Sequence, residues 1–172
     1  MAIAEVDAMD PGAFRAALGG VVEHSPWVAE AARHRAPFGS PVALRLAFAA
    51  ALHTATLEER LGLLRSHPEL AGREAQAGEL TAASRAEQRS ARLDRLTPDE
   101  FAALRALNAA YRERFGFPFI ACVGEHSLES LLAWGRVRLA REPEAEAETA
   151  LAEVGKIVDV RLRALVREDV GP

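Results

Sequence analysis

Apolar positions recur along the chain at steps of three and four, and nowhere at a clean step of two. Phe101, Leu104, Leu107, Asn108 and Tyr111 fall on one stripe, the pattern of a helix that buries a single face. Several such stretches open with a capping residue followed by proline, whose missing N–H is harmless in the first helical turn. Asp10-Pro11, Ser25-Pro26, Ser40-Pro41 and Thr97-Pro98 have this form. Thr97-Pro98-Asp99-Glu100 adds a glutamate able to bond back to the cap backbone, and Thr56-Leu57-Glu58-Glu59 repeats that logic without proline. The pattern predicts helices over 11–18, 26–35, 41–55, 57–66, 82–95, 98–114, 127–141 and 144–168, an all-α bundle of about eight helices.

Two stretches break the helical spacing. Ser66 to Leu80 contains Pro68, Gly72 and Gly78, and Phe115 to Glu125 contains Gly116, Pro118 and Gly124. Both are expected to be ordered loops. The second is far more apolar than a solvated connection, with Phe115, Phe117, Phe119, Ile120, Cys122 and Val123, so it is expected to enter the interior. The tail is rich in Glu and Ala to Glu153, then carries Val154, Ile157, Val158, Arg161, Leu162 and Leu165 at helical spacing. No repeat or low-complexity linker divides the chain, and residues 1–172 are expected to form one domain.

Composition narrows the function classes. The chain is 49% apolar and 27% charged with 6% aromatic residues, and Ala and Leu supply most of the apolar share, which favours helices. The formal charge is −4, with 21 Lys and Arg interleaved among 25 Asp and Glu, so nucleic acid is not an expected partner. A single cysteine, Cys122, excludes an internal disulfide. No basic region followed by an apolar run opens the chain, Val170-Gly171-Pro172 is not a peroxisomal address, and no window approaches the roughly 20 apolar residues that span a bilayer. The expectation is a cytoplasmic protein with no membrane partner.

The chemical candidates each have a plain structural alternative. His24, His34, His53, His67 and His126 form no H-x-x-x-H or E-x-x-H pair, so no metal is expected. Cys122 lies four residues before His126, but a lone cysteine in an apolar run is ordinarily core. Phosphate-cradling glycine loops and a G-x-S-x-G elbow are absent. In His67-Pro68-Glu69-Leu70 the proline restricts the imidazole-bearing residue to an extended conformation, which suits a rigid proton-transfer group; alternatively His67 closes the preceding helix. Ser84-Arg85-Ala86-Glu87-Gln88 reads as a capping box, unless the helix starts at Thr81 and leaves Ser84, Glu87 and Gln88 on one face. Arg161 either snorkels from the edge of its stripe or lies inside, where it needs an anionic or carbonyl partner. Trp27 is a core or interface anchor.

Taken together, these segments resemble the 2-oxo-4-hydroxy-4-carboxy-5-ureidoimidazoline (OHCU) decarboxylase family. The resemblance rests on Glu23-His24-Ser25-Pro26-Trp27-Val28-Ala29-Glu30, Arg65 to Gly72, Ser84 to Gln88, Leu107-Asn108 with Tyr111, Phe115-Gly116-Phe117-Pro118-Phe119-Ile120, and Glu153 to Leu162, in the family's order. It implies an all-α homodimer that takes a small-molecule substrate and uses neither metal nor organic cofactor. By resemblance His67 is the catalytic histidine, with Glu87 and Arg161 orienting the substrate. Pro68, Ser84 and Gln88 are implied to touch it, and Phe119, Ile120, Ala121, Cys122 and Val123 to offer it backbone donors and acceptors. Gly124-Glu125-His126-Ser127 lacks the basic residues common there, and Arg141 stands where asparagine is common; both lie outside the matched site. The competing functions are a non-catalytic helical interaction module, with the 115–123 loop as its docking surface, and a lyase or hydrolase for another ureido compound.

Overall fold

Nine α-helices and no strand are present among the described residues of the computed structural model, which are 1–72, 81–90, 93 and 95–168, without the side chains of Ala82, Gln88 and Ser90. The helices are α1 (Ile3–Asp7), α2 (Pro11–Leu18), α3 (Trp27–Arg33), α4 (Pro41–Thr54), α5 (Leu57–Ser66), α6 (Ala82–Ser90), α7 (Pro98–Phe115), α8 (Leu128–Leu139) and α9 (Pro143–Leu165). Single 3-10 turns occur at Gly19–Val21 and Val123–Glu125. No described helix is long and apolar enough to cross a membrane.

Most starts follow the capping chemistry. Asp10 Oδ1 accepts from Ala13 N–H at 2.8 Å, and Ser40 Oγ from Ala43 N–H at 3.1 Å. At α7 the Thr97 N–H donates to Glu100 Oε2 at 2.8 Å while Glu100 N–H donates to Thr97 Oγ1 at 3.3 Å, a reciprocal box that holds the Glu100 carboxyl below its ordinary range. Thr56 and Glu59 repeat it at α5.

Three expectations need correction, and the sequence pattern also missed α1. Ser25 does not cap α3: its side chain is buried, its carbonyl accepts from Val28 N–H, and the helix proper begins after Pro26. α1 carries no side-chain cap, and Ile3 N–H instead donates to Arg167 O while Arg167 N–H donates to Met1 O, a pairing of distant segments that local pattern cannot show. The same pairing takes the chain out of helix after Leu165, short of the expected 168. α6 stops short of 95 because Leu93 is buried in a turn.

The chain divides into two compact units. Met1–Arg60 with the chain from Gly155 onward form the first, and Leu61–Val154 the second. In the first, α3 packs on α2 and α4 over Phe14, Leu18, Val28, Leu44 and Phe48. The Asp7 carboxylate accepts from Phe38 and Gly39 N–H at 2.7 and 2.9 Å and fastens that turn to α1.

The second unit is built on α7 and α8. Gly135 permits their close approach, since a Cβ there would lie 2.5 Å from Leu107 Cδ2 and 3.2 Å from Phe119 Cζ. Three residues beyond Gly135, Arg138 is wholly buried; its Nε and Nη2 donate to Glu146 Oε1 at 2.9 and 2.6 Å. The guanidinium also lies 4.3 Å from the Trp134 ring centroid and 5.0 Å from that of Phe119. Tyr111 OH reaches Gly135 O at 3.3 Å and Glu146 Oε1 at 3.4 Å, and burial holds its proton on far above the usual phenol range. Glu146→Ala would leave the Arg138 charge buried without its carboxylate, so urea unfolding should show a loss of about 3–5 kcal/mol. A loss below about 1 kcal/mol would mean that water reaches the guanidinium and that the pair does not anchor α8 to α9.

Candidate active site

His67 follows the last residue of α5, and its backbone N–H donates to Leu64 O at 3.4 Å, closing the helix. The residue is partly exposed while its Nδ1 is shielded from solvent, and Pro68 behind it is buried. The chain then turns sharply. Gly72 N–H donates to Glu69 O at 3.2 Å, Ala71 takes φ +50° although it has a side chain, and a Cβ at Gly72 would lie 2.5 Å from Glu69 Cβ. A left-handed alanine is sterically unfavourable and persists only where its surroundings hold it. The holding comes from α7. Asn108 Nδ2 donates to Leu70 O at 3.2 Å, and one turn later Arg112 Nε pairs with the Glu69 carboxylate.

The second loop is the apolar one, and from Phe117 to Val123 every residue is buried. Such a segment has no helical partners for its peptide groups, so side chains must supply them. Asn108 Oδ1 accepts from Phe119 N–H at 3.3 Å, Arg138 Nη1 donates to Ile120 O at 2.9 Å, and Glu153 Oε2 accepts from Cys122 N–H at 2.8 Å. The carbonyls of Cys122 and Val123 accept from Glu125 and His126 N–H in the following turn. Among the described residues the N–H groups of Ala121 and Val123 make no hydrogen bond, which leaves them as donors for a carbonyl or carboxylate. The Cys122 thiol is buried and forms no disulfide among the described residues.

Thr81, not Ser84, caps α6. Thr81 Oγ1 accepts from Ser84 N–H at 3.2 Å and Thr81 O from Arg85 N–H at 3.0 Å, so Ser84 and Glu87 lie one turn apart inside the helix. Ser84 is buried and Glu87 half-buried, and α6 packs on the Val123–Glu125 turn. The side chain of Gln88 lies outside the described residues. The second unit therefore brings together the His67 loop, the Phe119–Val123 backbone and the helix bearing Ser84 and Glu87.

Arg161 belongs to the first unit and is inside it, not snorkelling. Its Nη1 donates to Val21 O at 2.9 Å and its Nη2 lies 3.9 Å from Glu23 Oε2, both side chains being buried. His24, next to Glu23, takes φ +59°.

Sequence reasoning missed Asn108, Arg138, Glu146 and Glu153 as anchors. The signal was present, because Arg138 continues the stripe of Leu131 and Gly135, and Glu146, Ala150, Glu153, Ile157 and Arg161 continue one another at steps of three and four. Glu125, His126 and Glu153 also bring one donor atom each within 4.8 Å of one another, a set that a divalent ion could use. Spacing along one helix could not show it, since two members come from a turn and one from α9. His126 stacks on Trp134 with ring centroids 4.8 Å apart.

Through Asn108 the loop that follows His67 is joined to a buried backbone stretch whose Ala121 and Val123 N–H groups are uncommitted among the described residues. The profile of the family described as OHCU decarboxylase matches residues 7–163. The chain is 41% identical over 162 residues to a 2-oxo-4-hydroxy-4-carboxy-5-ureidoimidazoline decarboxylase of Haloferax volcanii, covering 94% of each chain. It is 40% identical to the protein of that name from Mus musculus, covering 96% of this chain and 93% of the relative. A crystal structure of (S)-allantoin synthase superimposes with a TM-score of 0.75 at 28% identity, covering 96% of this chain and spanning about half, 54%, of that one. With a family profile matched over most of its length and relatives this similar from end to end, the chain belongs to the OHCU decarboxylase family.

Proposed function

We propose that this protein decarboxylates 2-oxo-4-hydroxy-4-carboxy-5-ureidoimidazoline to (S)-allantoin in uric acid breakdown, with no metal or organic cofactor. The observation that carries the reading is the joining of a half-exposed His67 to a buried backbone stretch whose Ala121 and Val123 N–H groups are uncommitted among the described residues. Family membership supplies the substrate class.

The substrate provides its own electron sink. As the bond from C4 to the carboxylate breaks, its electron pair forms a C4=C5 double bond, and the adjacent C5=N imine passes its electrons to nitrogen, which takes up a proton. The resulting enol is protonated at C5 while its hydroxyl proton leaves, giving the carbonyl and the single stereocentre of allantoin. The net change is loss of carbon dioxide and gain of one proton. The protein has to hold the carboxylate out of the imine plane and deliver the C5 proton to one face. In this reading His67 handles that proton, Glu87 and Arg161 orient the ring and ureido group, and Pro68, Ser84, Gln88 and the Phe119–Val123 backbone complete the contacts. Residues 1–172 act as one domain in the cytoplasm, and two copies associate. Large apolar side chains left exposed at Val42 and Leu46 of α4 and Val160 of α9 support the last point, together with the groove of about 260 Å³ between these helices.

Freshly generated substrate followed by circular dichroism should give one allantoin enantiomer faster than the spontaneous reaction; racemic product at the uncatalysed rate would reject the function. His67→Ala should lower turnover by at least about a hundredfold, and unchanged kinetics would remove its role. Arg161→Lys should lower kcat/KM, because a point ammonium cannot reproduce the planar fork, whereas unchanged constants would make Arg161 structural only. Sedimentation equilibrium should return twice the 18.5 kDa chain mass; a single-chain mass at micromolar concentration would refute the dimer.

A further inference from the structure

We propose that Asn108 is a positioning residue for the decarboxylation, a clamp that fixes the His67 loop against the Phe119–Val123 backbone. The role rests on the function proposed above, and the clamp itself is a matter of geometry.

A primary amide carries a donor and an acceptor on one rigid, planar group. Asn108 gives its donor to Leu70 O at 3.2 Å and its acceptor to Phe119 N–H at 3.3 Å, thereby joining segments that lie 38 residues before it and 11 after it. Only one orientation of the amide satisfies both peptide groups. The side chain is 3% exposed, so water cannot replace either bond. Neither loop is free to relax. The first is held in a tight turn by left-handed Ala71 and crowded Gly72, and the second is pinned farther along by Arg138 and Glu153. Arg112, which meets Glu69 one turn along α7, is about half exposed and provides a weaker second attachment.

The consequence is a fixed separation between two parts of the chemistry. His67 lies three residues before the clamped carbonyl, and Ala121 and Val123, with their uncommitted N–H groups, lie two and four residues after the clamped amide. A proton donor that must reach one face of a small planar enol works only if the groups holding that enol are placed to within a fraction of an ångström. Side chains of similar or smaller size do not reproduce the clamp. Aspartate sets a second acceptor against Leu70 O, leucine leaves both peptide groups orphaned, and serine is too short to reach both.

The test compares wild type with Asn108→Asp, corrected for the folded fraction. The expected result is a fall in kcat of at least about tenfold with KM changed less than about threefold, and a drop in the enantiomeric excess of allantoin. In a His67→Ala background the same substitution should bring no further loss in kcat, because the clamp acts through the imidazole. A variant of lowered melting temperature whose folded molecules keep wild-type kcat and enantiomeric excess would overturn the proposal, as would fully multiplicative losses in the double variant. If Asn108→Asp does not fold, Asn108→Ser, which keeps contact with one loop, carries the same expectations. A wild type without activity would strike the proposed function, and the clamp is then read by NMR. The His67 imidazole resonances should move in Asn108→Asp while those of His24 and His53 stay in place, and no movement at His67 would overturn the clamp.

Discussion

The stretch from Phe117 to Val123 is backbone that is neither helical nor wet, and the second unit is organised around satisfying it. A buried peptide group without a partner costs about 1–3 kcal/mol, so several along one loop would rival the whole stability of a small protein. Asn108, Arg138 and Glu153 prevent that loss, one from each of α7, α8 and α9. Each must itself be compensated. Arg138 is paired with Glu146 and lies against the rings of Trp134 and Phe119, and Asn108 spends its second hydrogen bond on Leu70. Fixing the loop therefore also fixes three helices and the turn after His67.

This arrangement answers a difficulty inherent in an all-helical enzyme. Helices consume their own N–H and C=O groups, and only the first and last turns offer any to a ligand. A protein that is to present peptide donors to a small polar substrate has to bring a non-repetitive segment inside, and then supply side chains for every peptide group the substrate does not use. On the proposed function that is the division of labour between anchored Phe119, Ile120 and Cys122 and uncommitted Ala121 and Val123.

Much of this was legible in the sequence, and for local reasons. Asp10-Pro11, Ser40-Pro41, Thr56 to Glu59 and Thr97 to Glu100 mark helix starts because cap bonds span only three residues. The apolar run from Phe115 announced a loop that goes inward. The choice between Thr81 and Ser84 as cap stayed open because both offer a hydroxyl at a suitable spacing, and the distances settle it for Thr81. What stayed hidden was set by distant partners. Ser25-Pro26 has the form of a cap and is not one, α1 is tied to Arg167 far along the chain, and although its stripe places Arg138 on the buried face, its partner Glu146, eight residues on, shows only in the structure. Arg161 was readable as either wet or buried, and its contact with Val21, 140 residues away, is what decides.

Whether side chains lock this loop at its peptide groups is tested most directly by amide hydrogen exchange in the native protein. Phe119 and Cys122 amides should exchange only through global unfolding, matching the slowest amides of α7, while the exposed Gly124 amide exchanges orders of magnitude faster. If Phe119 and Cys122 exchange as fast as Gly124, the loop opens on its own and the three anchors do not hold it.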